Sequence, residues 1–139
     1  MSNRFLAWKN IIDELATIES IRLVAPLPRF FEKDEFMSFP TPAVFVGFAG
    51  DSIDNAFGVG SEQRYAVWVL ENATRSDREL DTVMAMGEII NDITNTLRDY
   101  QPGDDYSPLE RIDSKDPVQY FPGGSIVYSM WFTTVFSAD

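Results

Sequence analysis

Apolar residues recur at helical spacing near the start of the chain. Between about Asn3 and Glu19, the apolar side chains fall within roughly 140° of arc at 100° per residue. Lys9, Asp13 and Glu14 lie on the other side. This pattern predicts an amphipathic first helix that buries one face.

A longer helix is predicted from about Asp77 to Tyr100. Ser76 and Glu79 have the spacing of a capping box, and Pro102 follows the segment as a stop. The pattern assigns to its apolar face Leu80, Val83, Met84, Ile90, Ile93 and Leu97.

Carboxylates form a narrow stripe on another face of this second helix. Asp81, Glu88, Asp92 and Asp99 fall within about 40° of one another. The stripe is interpreted either as an ordinary solvated face or as a functional surface, which repels a polyanion or meets a basic partner.

Segments rich in β-branched and aromatic residues predict the strands. Tyr65, Val67 and Val69 alternate with Ala66, Trp68 and Leu70, so both faces of the predicted sheet are apolar. The predicted strands are Ala43 to Phe48, Arg64 to Glu71 and Ser125 to Phe136, with shorter ones at Ile21 to Ala25 and Pro108 to Ile112.

These elements predict an α+β fold in one domain, residues 1–139. It consists of a single, mainly antiparallel or mixed sheet with both helices packed on one face. Two helices leave the other apolar face uncovered, and large exposed apolar patches are unusual on monomers. Either a partner subunit or the chain's own curled sheet or loops must cover it.

Apolar residues in predicted connections are candidate interface residues. Ile53, Phe57 and Val59 lie in a long connection from Asp51 to Gln63, which either docks on a partner or folds back onto the core. Phe30, Phe31 and Phe36, in the predicted connection before Pro40, either lie at an interface or cover the core. Trp68 and Trp131 on the strands complete the interface candidates.

Composition excludes much enzyme chemistry. The 139 residues contain neither His nor Cys, so imidazole catalysis, thiolate nucleophiles, disulfides and Cys/His zinc sites are ruled out. The aspartate pairs lie in predicted turns, where aspartate bonds the local backbone. The segment from Gly58 to Ser61 lacks the residues of a nucleotide loop. The sequence therefore predicts no enzyme activity, no metal and no cofactor.

The net charge of −11 argues against nucleic-acid binding, because that affinity is built mostly from Lys and Arg. Residues 1–50 carry −1, residues 51–100 carry −6 and residues 101–139 carry −4. Charged residues interrupt the first apolar positions, so no secretory signal is predicted, and no apolar run is long enough to span a bilayer. We expect a cytoplasmic protein.

The order of these elements resembles the tail terminator proteins of long-tailed bacteriophages, especially the Mu-like prophage group of small tail proteins. The resemblance covers nearly the whole chain and concerns element order and hydrophobic pattern. After the N-terminal helix, it is carried by Pro42 to Val46, Arg64 to Leu70, the long second helix, Ser107 to Leu109 and Val127 to Phe132.

This resemblance implies a structural role. Such proteins form a ring, which the resemblance implies to be hexameric, on the head-proximal end of the tail tube, where they stop polymerisation and present a joining surface to the neck. The implied partners are further copies of the chain, the tube protein and the neck protein, with the sheath protein as a further candidate. DNA would only pass through the channel, and the acidic stripe would discourage it from sticking.

A second hypothesis belongs to a different class. Small acidic phage proteins can mimic DNA and inhibit basic nucleic-acid-binding enzymes, which requires carboxylates spread over one broad surface. The nearly neutral first 50 residues and the aromatic content of 14% favour assembly.

Overall fold

The computed structural model describes residues 3–27, 39–53, 60–72, 79–112, 117–121 and 124–137, with the backbone alone at 52 and 53. These residues form a mixed sheet with two helices on one face, which confirms the predicted α+β fold. In chain order the elements are α1 (Leu6–Leu15), β1 (Leu23–Pro26), β2 (Ala43–Ile53), β3 (Ser61–Asn72), α2 (Glu79–Leu97), β4 (Glu110–Ile112), β5 (Val118–Phe121) and β6 (Ser125–Phe136).

The sheet is built around β3 and β6, which pair antiparallel along their whole lengths. β2 pairs antiparallel with the other edge of β3, and β1 adds to β2 in parallel. The outer edge of β6 pairs with two short strands, β5 near its start and β4 near its end. Between them the Ser129 amide donates to the Pro117 carbonyl at 2.7 Å. β4, Pro117 and β5 thus protect this edge.

The strand predictions agree with the structure in position and differ in length. β6 has the predicted bounds, while β2 and β3 extend into the connection between them and shorten it. β5 was missed because its four residues stand between Pro117 and Pro122, which obscures a strand pattern.

The side that α2 turns to the core overlaps the predicted one in part: Ile93 and Leu97 are buried, and Val83 and Ile90 pack against the core. Its buried residues are Met86, Ile89, Ile93 and Leu97. Leu80 and Met84, assigned to the apolar face, are instead 70% and 66% exposed. The row beginning at Met86 lies directly over the sheet, which rotates Leu80 and Met84 away from it.

Both helices are shorter than predicted. α1 ends at Leu15, where a tight turn follows. α2 ends at Leu97, and Asp99 adopts a left-handed φ of 56° in the following turn. Aspartate tolerates this conformation at helix ends. Asp99 therefore does not lie on the helix, and only the other three residues of the predicted acidic stripe do.

A buried polar network ties the start of the chain to the sheet. The Tyr65 hydroxyl donates to Gln63 Oε1 at 2.6 Å, and Gln63 Nε2 donates to the Arg4 carbonyl at 2.9 Å. The Tyr106 hydroxyl lies 3.0 Å from the same carbonyl. The Arg4 guanidinium in turn pairs with Asp51 at 2.6 Å. Because every polar atom of Gln63 is bonded, this fully buried side chain is tolerated in the core.

This network predicts a loss of stability at alkaline pH. Burial raises the pKa of Tyr65 and of Tyr106 above the ordinary value near 10. As pH rises, the two tyrosine hydroxyls therefore lose their protons at a lower pH in the unfolded chain than in the folded protein. Stability is full below about pH 10 and falls as pH rises through the folded-state pKa, by up to about 1.4 kcal/mol per pH unit for Tyr65.

Urea unfolding followed by tryptophan fluorescence at a series of alkaline pH values tests this expectation. Tyr65→Phe should flatten the decline, although its stability near neutral pH is lower. Equal slopes for the wild type and this variant would contradict the assignment to Tyr65.

Candidate assembly surfaces

The described residues contain no cluster of three or more carboxylates that could hold a metal ion, in a chain without His or Cys. Of the aspartate pairs, Asp104 and Asp105 lie in a turn, and Asp51 pairs with Arg4. Within the described part of the chain, no helix combines the length and apolar character needed to cross a membrane.

The face of the sheet away from the helices is apolar at its centre. Strand register aligns Phe45 of β2 with Trp68 of β3, and Ala66 of β3 with Trp131 of β6. Ile112 of β4 lies opposite Trp131 at the outer edge. Because directly paired residues project from the same face, these side chains form two adjacent rows across this second face.

The chain covers one part of this second face itself. Ala43, Phe45, Leu70 and Val127 are almost completely buried. The residues packed against them are partly buried and include Leu27, Phe39, Trp68 and Phe121. The Phe39 and Phe45 rings meet edge to face with centroids 5.0 Å apart. On this part of the second face, the apolar side chains are therefore covered by the chain itself and not by a partner subunit.

The other part of the second face remains accessible near β4. Trp131 is half-buried, and Ile112 is 37% exposed. Ala66 and Ser129 beside them have small side chains, so the Trp131 ring projects further from the sheet than its neighbours do. We call Trp131 and Ile112 the β4-side patch. The sequence pattern identified Trp131 as an interface candidate and missed Ile112. A strand as short as β4 does not show from its sequence which of its side chains lies on this face.

The remaining interface candidates are distributed along the chain. Trp68 is half-buried within the covered part of the second face. Ile53 is the last residue of β2 and pairs with Ser61. The other candidates lie outside the described residues: Phe30, Phe31, Phe36, Phe57 and Val59.

The acidic stripe lies on the helix side of the sheet. Asp81, Glu88 and Asp92 are exposed on α2, and none forms an ion pair with another described residue. Asp99 is exposed in the turn beyond the helix. The stripe and the β4-side patch therefore lie on opposite sides of the sheet and can contact different partners.

Comparison with known proteins identifies a shared fold. A search of protein-family models finds no match, and a search of curated proteins finds no similar sequence. A chain of the solved structure described as "Virion of native gene transfer agent (GTA) particle" matches with a TM-score of 0.50 and 10% sequence identity. The match covers 95% of this chain and 92% of that chain. This likeness extends over nearly the whole domain and establishes similarity of fold.

Proposed function

We propose that this protein is a structural component of a phage-like tail, and that it acts as a tail terminator. The supporting observation is the shared fold: the similar chain belongs to a virion particle and matches over 95% of this domain. The element order that resembles tail terminators, including the closing strand β6, supports the finer assignment. Its task is to form a ring of six copies that caps the tube and joins the neck.

Ring formation requires two different surfaces on each subunit, because a closed ring with more than two copies uses heterologous contacts. The β4-side patch supplies one of these surfaces. Tryptophan is enriched among residues that dominate interface energy, and here it adjoins an exposed isoleucine. The opposing surface of the next subunit would cover both side chains.

Assembly of the cognate tail tube protein with and without this chain tests the proposal. A terminator stops growth, so electron microscopy should show tubes of limited length with an added ring at one end. Without the chain, tubes should grow longer and keep bare ends. A solution monomer that still caps tubes agrees with the proposal, whereas an unchanged length distribution contradicts it.

The same preparation separates the inhibitor hypothesis from the tail role. An acidic inhibitor should bind a basic nuclease or DNA-binding protein tightly, and the affinity should fall steeply with salt. We expect no such binding, because one edge of α2 supplies three exposed carboxylates in a narrow stripe and not a broad acidic surface.

A further inference from the structure

One row of α2 is turned neither to the core nor to the acidic stripe. Leu80, Met84, Gly87 and Asn91 fall within about 60° of arc at helical spacing. Leu80 and Met84 have the highest exposed fractions among the large hydrophobic side chains that the structure describes. A helix row that carries two such side chains without covering them is a candidate contact surface.

Three residues of this row, Met84, Gly87 and Asn91, line an open groove that reaches Tyr128 of the sheet, and Leu80 lies one turn before Met84. The groove has a volume of about 640 Å³ and is lined by Val83, Met84, Gly87, Ile90, Asn91 and Tyr128, among others. A Cβ atom added to Gly87 would meet nothing within 4 Å. Because Gly87 has no side chain, the groove is open at this position, and a larger side chain there would project into that open space.

Exposed apolar residues of β5 also lie beside Tyr128, the sheet residue that lines the groove. Val118 pairs with Tyr128 and Tyr120 pairs with Ile126. Tyr128 and Ile126 belong to the core on the helix side, so both residues of β5 project to this side as well. Val118 is 38% exposed and Tyr120 is 63% exposed. Apolar surface thus continues from α2 to the sheet edge.

Arg111 crosses the space between α2 and the sheet. One guanidinium nitrogen donates to Thr94 Oγ1 at 3.1 Å, and another donates to the Tyr128 hydroxyl at 3.2 Å. These two bonds connect β4 to α2 and β6. They hold the sheet edge against the helix, so the groove is present before any partner arrives.

Glu88 of the acidic stripe lines this groove, and Asp81 and Asp92 lie beside Glu88 on the same side of α2; we call these three residues the acidic rim. Around the helix, Glu88, Asp81 and Asp92 follow directly after the row of Leu80 and Met84, within about 80° of Met84. All three carboxylates are exposed and lack ion pairs with the described residues. An occupant with apolar groups toward the groove therefore meets negative charge along one side.

We propose that this groove binds a segment of a partner protein in which apolar or aromatic anchors are flanked by Lys or Arg. The anchors would cover Leu80, Met84 and Tyr128, and the cations would pair with the acidic rim. Repulsion of DNA would explain the carboxylates but not the exposed Leu80 and Met84 beside them. A partner segment that carries both cations and apolar side chains explains both features. The inference does not depend on the tail role.

Fluorescence anisotropy with two labelled peptides tests the inference on the whole protein. Both peptides carry the same Leu-Leu-Trp-Leu core, flanked by lysines in one and by glutamates in the other. We expect the lysine peptide to bind at least about tenfold more tightly, and added salt to reduce this difference. Equal binding of the two peptides, or no saturable binding of the lysine peptide, would overturn the inference.

Two kinds of variant locate the binding. Gly87→Leu fills the groove and should weaken binding about tenfold or more, while the melting temperature stays level or rises because leucine favours a helix more than glycine does. Neutralising the rim with Asp81→Asn, Glu88→Gln and Asp92→Asn should weaken lysine-peptide binding about tenfold. A control with the same charge change far from the groove should bind as the wild type does: Glu19→Gln, Asp104→Asn and Asp105→Asn.

Other results would assign the groove differently. Wild-type binding by Gly87→Leu would place the peptide elsewhere and overturn the inference. Self-association of the wild type that Gly87→Leu abolishes, measured by light scattering without peptide, would make a second copy the occupant and also overturn it.

Discussion

Trp131→Arg should abolish capping of the tail tube. The substitution places a charge in the β4-side patch, where the neighbouring subunit would have to bury it without a partner. Removing a central interface tryptophan typically costs about 2 kcal/mol or more, and 1.4 kcal/mol is a factor of ten in affinity. Tube ends that carry a ring should therefore become at least about tenfold rarer in electron micrographs.

A second variant and a control separate assembly from folding. Ile112→Arg lies opposite Trp131 at the exposed edge and should reduce capping with little effect on melting temperature. Ala16→Arg adds the same charge at the exposed C-terminal end of α1, where a cation is favourable, and should cap normally. Normal capping by both patch variants would exclude this patch from the ring interface.

Gln63→Leu should destabilise the fold by about 1–3 kcal/mol. The substitution leaves the Tyr65 hydroxyl without its acceptor inside a core that water does not reach, while the Arg4 carbonyl loses one donor and keeps the Tyr106 hydroxyl. Each buried polar group left unpaired costs about 1–3 kcal/mol. Urea unfolding monitored by circular dichroism measures the change.

A double-mutant cycle tests the cause of this loss. Tyr65→Phe in the Gln63→Leu background removes the orphaned hydroxyl, so the double variant should lose about 1 kcal/mol less than the sum of the single changes. Gln119→Leu is the matched control on exposed β5 and should change stability by about 0.5 kcal/mol or less. Strict additivity of the two core changes would show that Gln63 and Tyr65 act independently.

The strands and the fold class could be predicted from the sequence because they follow from local composition. β6 contains twelve residues with a dense β-branched and aromatic pattern, and its predicted bounds match the structure. The pattern of β3 likewise indicated two apolar faces. The burial of Gln63 on β3 could not be predicted, because glutamine in a strand usually indicates an exposed position. The hydrogen bonds that permit its burial involve Arg4 and Tyr65 and exist only in the folded structure.

The orientation of α2 could be predicted only in part, because hydrophobicity does not identify which apolar side chains meet the sheet. Leu80 and Met84 are as apolar as Met86 and Ile89, and only packing against the sheet separates them. Gly87 was the available signal. A glycine inside a helix costs about 1 kcal/mol relative to alanine, so its presence indicates that this side of α2 differs from the side that packs on the sheet. The acidic residues were located correctly on α2 as far as Asp92, whereas Asp99 depended on a helix end that the sequence placed three residues too late.

The central position of β6 also determines when the protein can fold during synthesis. β6 pairs with β3, β4 and β5, and its partners on β3 lie more than fifty residues earlier in the chain. Until β6 has left the ribosome, one edge of β3 is unpaired and the helices lack much of the surface that they cover. Contacts this distant in sequence slow folding and expose sticky intermediates. The sheet, and with it the groove and the β4-side patch, therefore cannot be completed until β6 has been synthesised and has left the ribosome.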